Sequence, residues 1–519
     1  MPTDKPQAAI VGAGPAGLAG ARFLQAHGFE PVLFEAAEGL GGQWRCDGAL
    51  SGVWPDMHVN TSRVVTRFSD LDFPPNAPMF PHNREVLAYL ERYARMFGLQ
   101  DKIRVSTPVH RIERAPGGGW TVRWTEPGGA DRSQTFEKVV LASGRFNVPF
   151  RPDVPGLDGF AGDGGVVHTF DYKQPDRYRG QRVLVAGAAI SALEVASDLA
   201  MLGAARVVVS SRRQRYVMPK IIAGVPADSR FSRYGAWAAE TLPAEVNDAR
   251  LKAWLLSVAG DPSRYGARPP AEDVRQAGAA LSQYFLPLVA EGRIATRPWM
   301  AEARGRTVRF SDDAEEDFDA VILGTGFRLD PPCLAPDIRE VLRLDGEHMD
   351  LSDFTFHPDL EGLAFLGFIA QTGPYFPVIE LQARYLAHVW GGVIPAPTAE
   401  ALRAGVEAYR ATFGGPPLCS MHAVALRFAR LAGVEPDVSE WPELARALLF
   451  GPLSATSFRL SGPDSLPDAS EQILRDAALH GTAPTPAFSP QERALVAELA
   501  EASEDPTVKA WAGLAERVA

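Results

Sequence analysis

The chain has 519 residues, with 52 Lys or Arg against 63 Asp or Glu and a formal net charge of −11. At ~150 residues per domain this length suggests about three domains, and so acidic a surface repels phosphate backbones, which argues against a nucleic-acid partner. The only cysteines are Cys46, Cys333 and Cys419, with no CxxC pair, so a disulfide framework and a dithiol redox couple are excluded and a reducing, cytoplasmic setting is expected.

No membrane segment is expected. The best candidate, 362–379, contains Gln371, Thr372, Gly373, Pro374 and Pro377, which do not suit a spanning helix. Residues 1–5 lead straight into a strand pattern, with no signal-peptide core.

The first predicted unit is βαβ. Residues 8–11 read as a buried strand, 15–27 as a helix and 31–34 as a second strand. Between strand and helix lies Gly12-Ala13-Gly14-Pro15-Ala16-Gly17, a GxGxxG in the context a dinucleotide requires. Gly12 permits the tight turn, Gly14 lets the backbone approach a pyrophosphate, and Gly17 lets helix and strand pack closely. Pro15 and Ala16 open the helix whose N-terminus faces the phosphates. Glu35, followed by Ala36, ends the second strand, where an acid can bond a ribose hydroxyl. Gly41-Gly42-Gln43-Trp44 then suggests a second backbone approach to the diphosphate and an aromatic wall.

Residues 84–97 read as an amphipathic helix, with Val86, Leu87, Leu90, Tyr93, Ala94 and Phe97 on its apolar face. Strands are predicted at 109–113, 120–124 and 139–141, separated by glycine-rich turns. Pro149, Pro152 and Pro155 mark a hinge.

A second βαβ unit follows, with a strand at 183–186, a helix at 190–202 and a strand at 207–209. Its fingerprint, Gly187-Ala188-Ala189-Ile190-Ser191-Ala192, is degenerate. Ala192 replaces the packing glycine, a mild change. Ala189 replaces the glycine that meets the pyrophosphate, a greater one. No acid follows the strand. Ser210-Ser211-Arg212-Arg213 stands there instead, and arginines suit the 2′-phosphate of NADPH. Residues 220–300 read as helix and loop, 308–310 and 320–323 as returning strands, and the chain after 398 as mostly helical.

These features resemble the flavin-containing monooxygenases over about residues 5–395. The flavin fingerprint and Gly41–Trp44 are followed by Asn60-Thr61-Ser62-Arg63, Phe68-Ser69-Asp70 and Phe80-Pro81-His82-Asn83-Arg84, each similar to a family block. So are Ala142-Ser143-Gly144, Gly324-Thr325-Gly326-Phe327 and Glu380-Leu381-Gln382-Ala383-Arg384. The family signature, Phe-x-Gly-x-x-x-His-x-x-x-Tyr or Phe, resembles the segment from Phe160 through Gly162 and His168 to Tyr172, with two extra residues before His168. Baeyer–Villiger relatives are expected to carry Trp at the Tyr172 position, so the resemblance is to the N- and S-oxygenating branch. His168 is expected to organise a linker rather than to act as acid or base.

The resemblance implies an α/β fold with two Rossmann-like dinucleotide-binding domains, for FAD and NADPH, and a helical C-terminal extension. The boundaries expected are 1–155 and 313–395 for a discontinuous FAD domain, 156–312 for the NADPH domain with a helical insertion near 220–300, and 396–519 for the extension. It also implies that NADPH reduces FAD, that O2 adds at flavin C4a, and that the hydroperoxide passes one oxygen to a small organic substrate. Asn60 is the expected catalytic residue, with an amide able to donate beside the flavin; an Asx-turn before Thr61 is the ordinary alternative. The other residues expected around FAD are Gly12, Gly14, Pro15, Ala16, Gly17, Glu35, Ala36, Gly42, Gln43, Trp44, His58, Thr61, Thr325, Gly326 and Gln382. Those expected around NADPH are Gly187, Ala189, Ser191, Ala192, Arg212 and Arg213. No metal is expected. Two rivals stand beside this reading: Baeyer–Villiger oxygenation of a ketone, and a flavin-binding protein with a decayed NADPH site. Oligomeric state is open, a homodimer included.

Overall fold

The computed structural model describes residues 5–46, 50–331, 333–412, 419–482 and 485–517. Residues 1–4 of the N-terminal reading lie outside the described residues. Two five-stranded parallel sheets dominate the chain. In the first, the order is Leu363–Phe365, Lys138–Leu141, Gln7–Val11, Glu30–Phe34 and Ile103–Arg104. In the second it is Ile294–Arg297, Arg206–Ser210, Arg182–Ala186, Ala320–Leu323 and Gly165–His168. The central strands are continuous apolar runs, such as Ala8-Ala9-Ile10 and Val183-Leu184-Val185, and all are buried. That composition fits strands covered on both faces by helices. Each fully buried Leu, Ile, Val or Phe contributes about 1.5–3 kcal/mol.

Helix α1 (Pro15–Ala26) follows the first strand and lies against the helix Phe376–Trp390. Helix α2 (Asn83–Met96) buries Val86, Tyr89, Leu90, Tyr93 and Ala94, close to the predicted face. A capping box formed by His82 and Glu85 starts it, so two otherwise orphaned backbone donors are satisfied. Helix α3 (Ile190–Leu202) opens the second unit at the predicted residues.

The structure differs from the sequence reading at several points, of which three bear on the architecture. The expected boundary at 312/313 falls inside the second unit, because Ala320–Leu323 pairs in parallel with Arg182–Ala186. Thr307–Phe310 does not return to that sheet but forms an antiparallel meander with Met300–Arg304 and Glu315–Asp317. The strand Asp131–Phe136 was hidden by its polar sequence and exposed surface.

The chain after 396 is largely helical, from Ala399–Arg410 to Pro506–Arg517. It reaches deep into the first unit through buried charges. Arg459 donates to Ser69 Oγ at 2.8 Å and to Asp70 Oδ1 at 2.9 Å, and lies 3.2 Å from Glu380 Oε1. Glu380 Oε2 accepts the Ser69 N–H at 2.7 Å. Asp464 faces His388 at 2.7 Å, His27 at 3.2 Å and Arg384 at 3.5 Å. Burial opposes its ionisation, but the hydrogen bonds from His27 and His388 and the Arg384 charge hold its carboxyl well below the usual range.

Asp464→Asn is therefore expected to destabilise the protein by about 3–5 kcal/mol, because the buried Arg384 guanidinium loses its counter-ion. A carboxyl with a depressed folded pKa stabilises above its unfolded value and loses that contribution as pH falls through the folded one. The gap between wild type and variant, read by urea unfolding, should be full at neutral pH and shrink below about pH 4.

Candidate active site

The first fingerprint is built as its glycines require. Gly12 has φ +107°, and a Cβ there would sit 2.5 Å from the Ala142 carbonyl oxygen. A Cβ on Gly17 would collide with the Gly12 carbonyl. Gly14 caps α1 in an extended conformation with Pro15 at the first turn, where a missing N–H is harmless. Ala16 is buried beneath. The Gly42 loop closes the other side: Gly41 N–H donates to the Ala13 carbonyl at 2.9 Å, and a Cβ on Gly14 would lie 3.4 Å from Gly42 Cα. The two bare backbones abut, Trp44 is buried behind them, and Gln43 and Ala36 are exposed.

Glu35 is buried at the end of its strand. Its Oε2 accepts the Ala13 N–H at 2.8 Å and its Oε1 the Ala37 N–H at 2.9 Å. The carboxylate is thus fixed against the fingerprint turn and keeps lone pairs for a ribose hydroxyl. These residues fit FAD: a glycine cradle, a helix N-terminus and an oriented acid.

Asn60 follows buried Val59 and is half-buried itself. Its Oδ1 is buried without a hydrogen-bond partner among the described residues. Such an atom is costly unless something outside the chain satisfies it. The neighbouring Thr61 hydroxyl is 2.8 Å from that of Thr66. His58 is exposed, with Nδ1 3.1 Å from the Phe80 carbonyl oxygen and its ring edge-on to His82.

Thr325 and Gly326 lie in the crossover between the units. The Thr325 hydroxyl donates to the Phe150 carbonyl, and Phe150 N–H to the Gly326 carbonyl at 2.9 Å. Gln382 stands in the interior. It is fully buried, its amide donates toward Phe354, Thr355 and Phe365, and its Oε1 accepts the Gly367 N–H at 3.0 Å. It holds the backbone beside α1.

In the second unit Gly187 has φ +122° and a Cβ there would strike the Gly324 carbonyl, repeating the Gly12 arrangement. Gly324 leaves the space that the Ala192 methyl fills. Ala189 caps α3 with φ −83° and ψ 171°, close to the φ −77° and ψ −173° of Gly14. The backbone therefore has the dinucleotide conformation without a glycine. Ala189 and Ser191 are exposed. Arg212 lies over the Trp299 ring at 4.9 Å, and Arg213 donates to the Gln276 carbonyl at 3.2 Å. Both guanidiniums are exposed and keep donors free for a phosphate, so the unit fits NADPH.

His168 is an organiser. Its Nδ1 accepts the Phe170 N–H at 3.0 Å and its Nε2 donates to the Gly326 carbonyl at 3.0 Å, which joins the second sheet to the crossover. Burial lowers its pKa, so the neutral ring is favoured. Tyr172 donates to Asp198 of α3 at 2.9 Å and lies edge-on to Trp54 of the first unit.

A flavin-binding monooxygenase-like family model matches residues 5–480. The chain belongs to that family. It is 28% identical to the N-oxide-forming dimethylaniline monooxygenase 2 of Cavia porcellus over 497 residues, covering 90% of each chain. It also shares the fold of an S-allyl-L-cysteine S-oxygenase from Allium sativum, with TM-score 0.62, 24% identity, and 82% and 88% of the two chains covered. A cyclohexanone monooxygenase from Rhodococcus sp. Phi1, solved bound to NADP+, matches with TM-score 0.61 and 17% identity over 83% and 97% of the chains. FAD and NADPH are the cofactors of this monooxygenase family. Among the described residues no helix is long and apolar enough to cross a membrane.

The sequence reading missed Lys220, Asp228 and His480. Lys220 is buried, pairs with Glu194 of α3 at 3.3 Å and lies 3.4 Å from the Val59 carbonyl. Asp228 and His480 meet at Ser62. No local pattern marks them, because each lies far along the chain from the loop it supports.

Proposed function

We propose that this flavin monooxygenase uses NADPH and O2 to oxygenate a soft nitrogen or sulfur atom of a small organic substrate. The observation that carries the reading is the Asn60 amide, with its buried, unpartnered oxygen on a loop tied to both nucleotide units. Bound FAD would supply the electron transfer from NADPH and the activation of O2. The chain supplies position: the Gly12–Gly17 turn and Glu35 hold FAD, the α3 N-terminus with Arg212 and Arg213 holds NADPH, and Asn60 offers an amide at the reacting end. Tyr172 in place of Trp favours this chemistry over ketone oxygenation. The intact Gly187 turn and the extended Ala189 disfavour a decayed NADPH site. The sequence has three cysteines and no CxxC pair, which fits a reducing cytoplasmic setting. The test is oxidation of a tertiary amine, a thioether and a cyclic ketone with NADPH. An N-oxide or sulfoxide supports the proposal, and an ester alone overturns it.

Arg212 and Arg213 give a separate expectation. Charge-assisted contacts to the 2′-phosphate contribute roughly 1.5–3 kcal/mol, or about tenfold or more in affinity. Flavin reduction should be saturated at least about tenfold more readily by NADPH than by NADH, and Arg212→Ala/Arg213→Ala should erase that preference. Ala189→Gly should tighten NADPH, since removing the methyl lets the backbone approach the diphosphate. Equal responses to both nucleotides in the wild type would mean the arginines are only solvated.

A further inference from the structure

The loop that carries Asn60 is gripped from behind by two distant parts of the chain. Asp228, in the short turn Ala227–Arg230, accepts the Ser62 backbone N–H through Oδ2. Its Oδ1 faces His480 Nε2 at 2.8 Å. The same His480 nitrogen lies 3.1 Å from Ser62 Oγ. On the other side of the ring, His480 Nδ1 is 3.0 Å from the Asp476 carbonyl oxygen. The Asp476 carboxylate is held by Arg67 at 2.8 Å, so the C-terminal segment meets the loop region twice. Ser62, Asp228, His480, Asp476 and Arg67 are all buried.

A buried polar network of this kind is no efficient source of stability, since apolar residues of similar volume would serve as well. What it does provide is direction. The ring has a fixed partner on each side, the Asp476 carbonyl at Nδ1 and Asp228 with Ser62 Oγ at Nε2, so its orientation is set. Asp228 then ends on one particular backbone N–H, that of Ser62. A displacement of about 1 Å at a reacting group can cost ~10²-fold in rate, which is reason enough to hold this loop so firmly.

We propose that Asp228 and His480 are positioning residues that set the Asn60 loop, so that the helical C-terminal segment forms part of the active-site support. This rests on the functional reading of Asn60 given above. The network's two arms can be cut separately. Asp228→Asn keeps an acceptor for Ser62 but presents an amide to His480. His480→Gln replaces the ring by an amide that cannot face the Asp476 carbonyl and Asp228 from opposite sides as the ring does.

The experiment uses the FAD-loaded full chain. Hydrogen exchange is followed over residues 57–66, with α1 as internal reference, alongside FAD content and hydrogen peroxide released per NADPH consumed. Both variants should keep FAD. They should speed exchange across 57–66 by about tenfold or more, the equivalent of one lost charge-assisted hydrogen bond, and raise the peroxide fraction severalfold without changing exchange in α1. His480→Gln combined with Asn60→Ala should be no less coupled than Asn60→Ala alone. Unchanged exchange at 57–66, or faster exchange with unchanged coupling while Asn60→Ala uncouples, overturns the proposal. Unchanged coupling in Asn60→Ala itself, with faster exchange in His480→Gln, defeats the Asn60 reading and leaves the loop support standing.

Discussion

Asn60→Ala is expected to leave FAD bound while most of the NADPH consumed yields hydrogen peroxide instead of product. The Asn60 Oδ1 is buried and unpartnered among the described residues, whereas the cradle proposed for FAD is built from Gly12, Gly14, Glu35 and Gly42, a separate part of the chain. Loss of the amide should therefore spare cofactor affinity and affect the oxygen-handling step. The donor lost with the amide would be its Nδ2, and a single lost donor costs on the order of 10²–10³ in rate in other enzymes. Hydride transfer from NADPH should suffer less. Asn60→Asp separates hydrogen bonding from shape, since a carboxylate of the same size accepts but cannot donate. It should uncouple at least as strongly as alanine. The measurement is product and peroxide per NADPH. Coupling at the wild-type level in both variants would reduce Asn60 to a turn residue.

The second large effect is at Gly14. Its φ is ordinary, so backbone strain is not the reason for glycine. The reason is space. A Cβ would already lie 3.4 Å from Gly42 Cα, and the branched methyls of valine would fill the gap where a pyrophosphate must approach the backbone. Gly14→Val should purify without yellow colour and fail to take up added FAD. Gly14→Ala places at this site the residue that Ala189 already supplies in the second unit, and should bind FAD more weakly but measurably. Flavin absorbance per protein, with and without added FAD, reads both. Full FAD occupancy in Gly14→Val would mean the dinucleotide lies elsewhere.

Much of this fold was legible because its central strands are apolar runs bounded by glycine turns. The strand before α1, α1 itself, α3 and both fingerprints carry their signal within a few residues. Asp131–Phe136 did not, because an exposed antiparallel strand needs only backbone pairing and its side chains are polar. Ala320–Leu323 was read as a returning strand but placed with the first unit by the 312/313 boundary; its register with Arg182–Ala186 is a long-range fact. The same limit governs the site. Glu35 is visible at its spacing from the glycines, while Asp228 and His480 reach Ser62 from far away and look like ordinary surface residues in sequence. Gln382 is a different case. A resemblance to a family block suggested a ligand contact, and the structure shows an amide consumed by the interior.

In the proposed reaction, electrons from NADPH pass through bound FAD and one atom of O2 enters the substrate. The most direct measurement mixes the FAD-loaded protein with NADPH without air, adds ¹⁸O2 together with a thioether, and analyses the product by mass. Bleaching of the flavin followed by a sulfoxide carrying a single ¹⁸O for each NADPH consumed is the predicted result. A flavin that NADPH does not bleach, or a product whose oxygen comes from water, would contradict it.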